Sequence, residues 1–217
     1  MIELLEVNGE HWYKYSDTPS QTFLPVPSVT TILQAYPKGK QFYDWIAKYG
    51  DAAEGIKRAA GTLGTNVHRQ IEYYLKPDSG ALPLLSVRER ITFLGFKAWH
   101  QKIQPQLIHS ELRFIDSHYN YGGTIDFICE IGGEIYVIDF KSSNHIPASY
   151  WLQVAAYAAA YTNHKETPVN FAILHLNRSH PEGYIFLSKT KTDLDYYFKT
   201  FLDVYRVWKY DRAHPAM

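Results

Sequence analysis

A single cysteine, Cys129, stands among the 217 residues. One thiol cannot close an internal disulfide, build a thiolate zinc site or hold an iron–sulfur cluster, so those devices are excluded within this chain. Net charge is missing too, because 22 Lys and Arg balance 22 Asp and Glu. No overall positive field exists to gather a polyanion. Nucleic-acid binding then needs a local basic surface, or metal ions that bridge carboxylates to phosphates. No apolar run approaches the length of a membrane span, and no repeat or low-complexity tract is visible. Met1 to Glu6 carries two acids and no basic region, unlike a secretion signal. The expectation is a soluble, intracellular (cytoplasmic) protein with no membrane partner.

What is present describes a globular chain. Apolar residues make up 46% and charged residues 20%, a balance that excludes intrinsic disorder. Aromatics are abundant, with 18 Tyr, 11 Phe and 5 Trp. They suit an aromatic interior first and stacking on bases second.

Two runs, Ile2 to Val7 and Glu10 to Tyr15, flank Asn8-Gly9 and predict a hairpin. Pro25-Val26-Pro27 breaks the pattern, and Ser28 is placed to cap a short helix. Helices are predicted over Lys40 to Tyr49, over Asp51 to Leu75 with an interruption at Gly61 or Gly64, and from Ser86 to Pro105. Pro77-Asp78-Ser79-Gly80 reads as a loop. Beyond Pro105 strands are predicted at Leu107 to Ile115, Gly122 to Ile131, Glu134 to Lys141, Val169 to Leu176 and Tyr184 to Leu187. Helices at Ala148 to Tyr161 and Asp193 to Lys209 intervene and close the chain. The expected fold class is α/β (α+β). It is one domain over 1–217, with a hairpin and helical part at 1–105 and a sheet-containing core at 106–217.

The chemistry concentrates in one hairpin. In Tyr136-Val-Ile-Asp-Phe-Lys141 alternation puts Asp139 and Lys141 on one strand face. Taken alone, Asp-x-Lys is a surface ion pair at a strand end. The preceding strand, however, carries Asp126 between apolar residues. Counting outward from a two-residue Gly132-Gly133 turn sets Asp126 directly across from Asp139, and a bulge would shift that register by one. Opposed carboxylates repel unless a cation lies between them, and oxygen ligands favour Mg²⁺ or Mn²⁺. In the following helix Gln153 and Tyr157 share a face. Without the carboxylates nearby, Tyr157 would simply pack and Gln153 would be exposed.

These segments resemble the PD-(D/E)xK nuclease superfamily, and within it the RecB-type and mitochondrial genome maintenance exonuclease branch. Gly123-Thr-Ile-Asp126 with Asp139-Phe-Lys-Ser-Ser143 is similar to the central hairpin motif. Gln153-Val-Ala-Ala-Tyr157 is similar to the branch's helix motif, and Gly64-Thr-Asn-Val-His68 to the upstream motif that supplies a histidine. Pro27-Ser-Val-Thr-Thr-Ile-Leu33 looks like the opening of such exonucleases. Ile125 replaces the usual proline before the first aspartate. The resemblance implies a restriction-endonuclease-like core, a central mixed sheet flanked by helices, with an N-terminal helical layer. It implies one or two Mg²⁺ or Mn²⁺ ions held by His68, Asp126, Asp139 and the Phe140 carbonyl. Lys141 would orient or deprotonate the attacking water, or act as an electrostatic partner. Gln153 and Tyr157 would position the strand, the lysine or the phosphate, and Glu111 would match an acid of related exonucleases. Ser142 and Ser143 would bond a phosphate or cap the next turn.

The implied activity is metal-dependent hydrolysis of DNA, at ends or on single strands, in repair, recombination or replication. The rivals are an endonuclease of the same superfamily and a non-catalytic DNA-end-binding protein on the same fold. Lys38, Lys40, Lys48, Lys57 and Arg58 either track a phosphate backbone or form a solvated helix face. Tyr36, Phe42, Tyr43 and Trp45 either stack on unpaired bases or build a helical core.

Overall fold

The computed structural model of the protein describes residues 1–77, 84–165 and 168–215. The loop expected at Pro77 to Gly80 lies, past Pro77, outside the described residues.

Ile2–Val7 (β1) and Glu10–Tyr15 (β2) pair antiparallel across Asn8 and Gly9, whose φ angles of 53° and 76° give the predicted tight turn. Val26–Pro27 (β3) adds a short third strand where the sequence indicated only a break. Proline is tolerated there because β3 is the edge of its sheet. Ser28 caps Val29–Ile32 (α1), its hydroxyl accepting from the Thr31 N–H at 2.9 Å.

Lys40–Tyr49 (α2), Ala52–Leu75 (α3) and Val87–Ile103 (α4) follow. α3 runs unbroken through Gly61 and Gly64, because good helix formers on both sides outweigh the roughly 1 kcal/mol that each glycine costs. α4 opens with a capping box between Ser86 and Glu89. The same Glu89 carboxylate accepts from Asn66 Nδ2 at 2.8 Å, which ties the start of α4 to the middle of α3. α2 buries none of its residues, so Phe42, Tyr43 and Trp45 are not a core.

The main sheet is built from Gln106–Asp116 (β4), Tyr121–Ile131 (β5), Glu134–Lys141 (β6), Asn170–His175 (β7) and Ile185–Lys189 (β8), in that spatial order. Ala148–Tyr161 (α5) crosses from β6 to β7, the one parallel pair, and Lys191–Ala213 (α6) closes the described chain. One sheet face packs Tyr121, Val137 and Phe171 against α1, α5 and α6. The other packs Phe127, Ile138, Phe140 and Leu174 against Val67, Ile71, Phe96 and Trp99 of α3 and α4. Each such buried side chain contributes about 1.5–3 kcal/mol relative to leaving it exposed. This is the expected α/β layering, a mixed central sheet between helices.

Gly123 sits where β5 passes beneath α5. A Cβ there would lie 2.7 Å from the Phe114 ring and 2.8 Å from the Tyr157 ring. Gly123→Ala should overpack this contact at a cost of about 1–3 kcal/mol. The expected result is a melting temperature about 3–10 °C lower, because a chain of this size loses about 2–4 °C per kcal/mol. An unchanged melting temperature would contradict the packing described.

Candidate metal centre

The β5–β6 ladder has the register counted from the turn, running from Ile131 opposite Glu134 to Phe127 opposite Ile138. It ends there, one pair short of the two aspartates. Beyond it the strands stop exchanging backbone bonds, and Asp126 Oδ2 instead accepts the Phe140 N–H at 2.7 Å. The inside–outside alternation of β5 slips at the same point. Phe127 and Cys129 pack toward α3 and α4, but Ile125, two residues before Phe127, packs toward α5. Opposite Asp126 on β4 stands Glu111, between Ser110, paired with Phe127, and Leu112, paired with Ile125. Glu111 has φ 51°, a left-handed conformation that costs a non-glycine residue about 1–3 kcal/mol. The consequence is positional. Three neighbouring strands each bring one carboxylate, Glu111, Asp126 and Asp139, to the end of the β5–β6 pairing.

His68 reaches this point from α3. Its Nδ1 lies 3.5 Å from Asp126 Oδ1 and its Nε2 donates to the Phe140 carbonyl at 3.2 Å. Side-chain atoms of His68, Glu111 and Asp126 all lie within 4.8 Å of one another. Asp139 is turned toward α5. Its Oδ1 accepts from Gln153 Nε2 at 2.9 Å, and the Lys141 ammonium lies 2.8 Å from its Oδ2. Gln153 Oε1 accepts from Lys141 at 3.0 Å, and Gln153 Nε2 also donates to the Tyr157 hydroxyl at 2.9 Å. Gln153 is buried rather than exposed, because one amide with a donor end and an acceptor end can serve an acid and an ammonium together.

The charges follow from this packing. Burial and the Asp126 charge push Glu111 up to about 8, with His68 opposing. Burial pushes Asp139 up to about 6 against the pull of Lys141, and Asp126 adds to the rise. Burial alone would lower His68, but Asp126, Glu111 and Asp139 override it and raise the imidazole to about 9. Burial would raise Asp126, yet His68, Lys141 and the Phe140 N–H hold it below the usual carboxylate range. Burial would likewise lower Lys141, and the two aspartates reverse that, so its pKa is raised.

These groups fit a hard divalent ion. Asp139 Oδ2 is buried and meets the Lys141 ammonium at 2.8 Å, which leaves it lone-pair capacity for an ion. The His68 ring nitrogens face Asp126 and the Phe140 carbonyl, two oxygens that the family resemblance implies as ion ligands. Carboxylate and carbonyl oxygens with one imidazole are donors for Mg²⁺ or Mn²⁺.

The structure thus brings His68, Glu111, Asp126 and Phe140 together on one side, and Asp139, Lys141, Gln153 and Tyr157 on the other. Ser143 Oγ donates to the His145 carbonyl at 2.6 Å, which favours the turn cap over a phosphate contact. Two charged residues were not singled out from sequence. Glu72, one helical turn after His68, lines a cleft of about 430 Å³ with His68, Arg69 and Glu111. Arg88, at the start of α4, lines a second cleft of about 330 Å³ with His68 and Lys141. The i, i+4 spacing from His68 was the available signal for Glu72; nothing local marked Arg88.

A family model described as the PD-(D/E)XK nuclease superfamily matches residues 39–216. No curated protein matches the chain.

Proposed function

The chain belongs to the PD-(D/E)XK nuclease superfamily, whose nucleases use divalent metal ions, and on that premise we propose that it is a deoxyribonuclease of the RecB-type exonuclease branch, acting on DNA ends or single strands with Mg²⁺ or Mn²⁺. The observation that carries this reading is the Asp139–Gln153–Lys141 network set against the His68, Glu111 and Asp126 cluster. Glu111, Asp126 and His68, with Asp139 and the Phe140 carbonyl beside them, would hold a divalent ion, and such an ion would supply positive charge to the phosphate oxygens and acidify water for attack. Lys141 enters as an ammonium, which favours orienting the water and stabilising phosphate charge over acting as the base. Gln153 fixes the positions of Lys141 and Asp139 relative to each other. Tyr157, well above its ordinary pKa through burial, stays a neutral hydroxyl that anchors Gln153.

α2 supports a single-stranded substrate. Tyr43 and Tyr49 are exposed, Phe42 and Trp45 stack at 6.5 Å, and Lys48 and Lys57 stand over the Tyr49 and Phe42 rings. Rings interleaved with ammonium groups bind unpaired bases and their backbone without sequence preference. The proposed unit includes this N-terminal part together with the sheet.

End-labelled linear and circular single strands, incubated with Mg²⁺ or Mn²⁺, test the reading. Linear strands should be degraded progressively from an end and circles should survive. Cleaved circles would make the protein an endonuclease. Binding without cleavage in both ions would make it a non-catalytic end binder.

A further inference from the structure

His68 lines two clefts that differ in their charged groups. The larger mixes signs, with Arg69 beside Glu72 and Glu111. The smaller is lined by Gly64, Arg88, Lys141, Ser142, Ser143 and Tyr150 among others, with no carboxylate in its wall. A polyanion entering the second meets Arg88 and Lys141 with no carboxylate opposing them. Lys141 and Arg88 line this cleft together, so a phosphate bound against Lys141 has its neighbour toward Arg88.

Arg88 is held at that rim by its helix. The Ser86–Glu89 capping box fixes the first turn of α4, and the Glu89–Asn66 bond fixes that turn to α3 two residues from His68. A second guanidinium comes from the chain after β7. Leu176 N–H donates to the Lys141 carbonyl at 2.8 Å, and His175 Nε2 donates to the Ser143 carbonyl at 2.6 Å. The chain leaving β7 is therefore laced to the residues that leave β6, and Arg178 follows two positions after Leu176. The rest of this connection runs along α4. Gly183 lies against Gly95, so close that a Gly95 Cβ would be 2.3 Å from its carbonyl, and Glu182 pairs with Lys102 at 2.6 Å. Arg178 thus stands two residues beyond the chain bonded to Lys141 and Ser143, which line the same cleft as Arg88. Burial and the Arg88 charge together lower Arg178 from its ordinary pKa. Neither arginine makes an ion pair with a carboxylate among the described residues. Two guanidinium groups held near each other without an acid repel, and a phosphate between them removes the repulsion through paired N–H···O bonds.

We propose that Arg88 and Arg178 form a clamp for the backbone phosphate adjacent to the one positioned at Lys141. The clamp rests on the nuclease reading and specifies it further, because it makes the carboxylate-free cleft the track of the substrate strand. Both side chains are exposed, so their removal leaves the fold intact.

Steady-state cleavage of a labelled oligonucleotide by wild type, Arg88→Ala, Arg178→Ala and the double variant tests it, read across a series of salt concentrations. Each single variant should raise KM about tenfold, the loss of a charge-assisted contact, and leave kcat within about twofold. The slope of log KM against log salt should fall by about 0.7 for each arginine removed. Arg88→Lys should keep the salt slope but recover only part of KM, because an ammonium lacks the two-pronged geometry. Wild-type cleavage with unchanged KM and salt slope in the double variant overturns the clamp alone. A wild type that neither binds nor cleaves DNA overturns the clamp and the nuclease reading together.

Discussion

Asp139→Asn should all but abolish DNA hydrolysis, lowering kcat by about 10²–10³-fold, while the protein stays folded. Removing one group that stabilises developing charge in a preorganised site costs about 10²–10³. Asp139 serves two ends at once, through an Oδ1 fixed by Gln153 and an Oδ2 left for a cation beside Lys141. The amide keeps the shape and the Gln153 contact but gives up the charge. Folding should not suffer, because the carboxylate is already costly where it stands. Burial and the Asp126 charge hold it up to about 6 in spite of Lys141. A neutral amide is spared that desolvation, and Lys141 keeps Gln153 and the Asp126 field as partners. Activity and melting temperature should therefore separate, with activity lost and the melting temperature equal or higher. A variant that keeps a tenth of wild-type kcat would remove Asp139 from the chemistry.

Much of this arrangement was legible in the sequence, for local reasons. The Gly132-Gly133 turn set the β5–β6 register because a two-residue hairpin leaves no freedom in the count. Ser28 and Ser86 marked helix starts because their hydroxyls replace missing backbone acceptors. Gln153 and Tyr157 shared a face because a helix repeats every 3.6 residues. What escaped depends on neighbours that are distant in sequence. The left-handed φ of Glu111 has no signal in Ser110-Glu111-Leu112, yet together with the slip at Asp126 it decides which carboxylates converge. The amphipathic pattern of α2 matches that of a core helix, and only the fact that none of its residues is buried reveals an open face. The carboxylate-free wall of the smaller cleft arises where α3, α4 and β6 meet, and no single segment records that meeting.

Stabilisation by a divalent ion should grow steeply with pH. Folding raises His68 from 6.5 to about 9, Glu111 from 4.5 to about 8 and Asp139 from 3.8 to about 6. Groups raised in this way bind protons more tightly when folded. Their contribution to stability is complete below the unfolded value and is lost as pH climbs through the folded one. Asp126 shifts the other way, and its contribution is lost only in acid. Without an ion, stability should therefore decline from about pH 4 to about pH 9 as the acids and the imidazole lose their protons. An ion held by the same groups takes the place of those protons, so its affinity rises over that interval. In thermal melts Mn²⁺ should add little at pH 5.5 and most near pH 9. Equal gains at both would mean that it binds elsewhere.

Calorimetric titration of Mn²⁺ into wild type and Asp126→Ala at pH 7.5, in two buffers of different ionisation enthalpy, puts the shared ion to the most direct trial. Wild type should bind Mn²⁺ with net release of protons, and Asp126→Ala should not bind it. A wild type that takes up no Mn²⁺, or a variant that binds it equally well, would contradict the account.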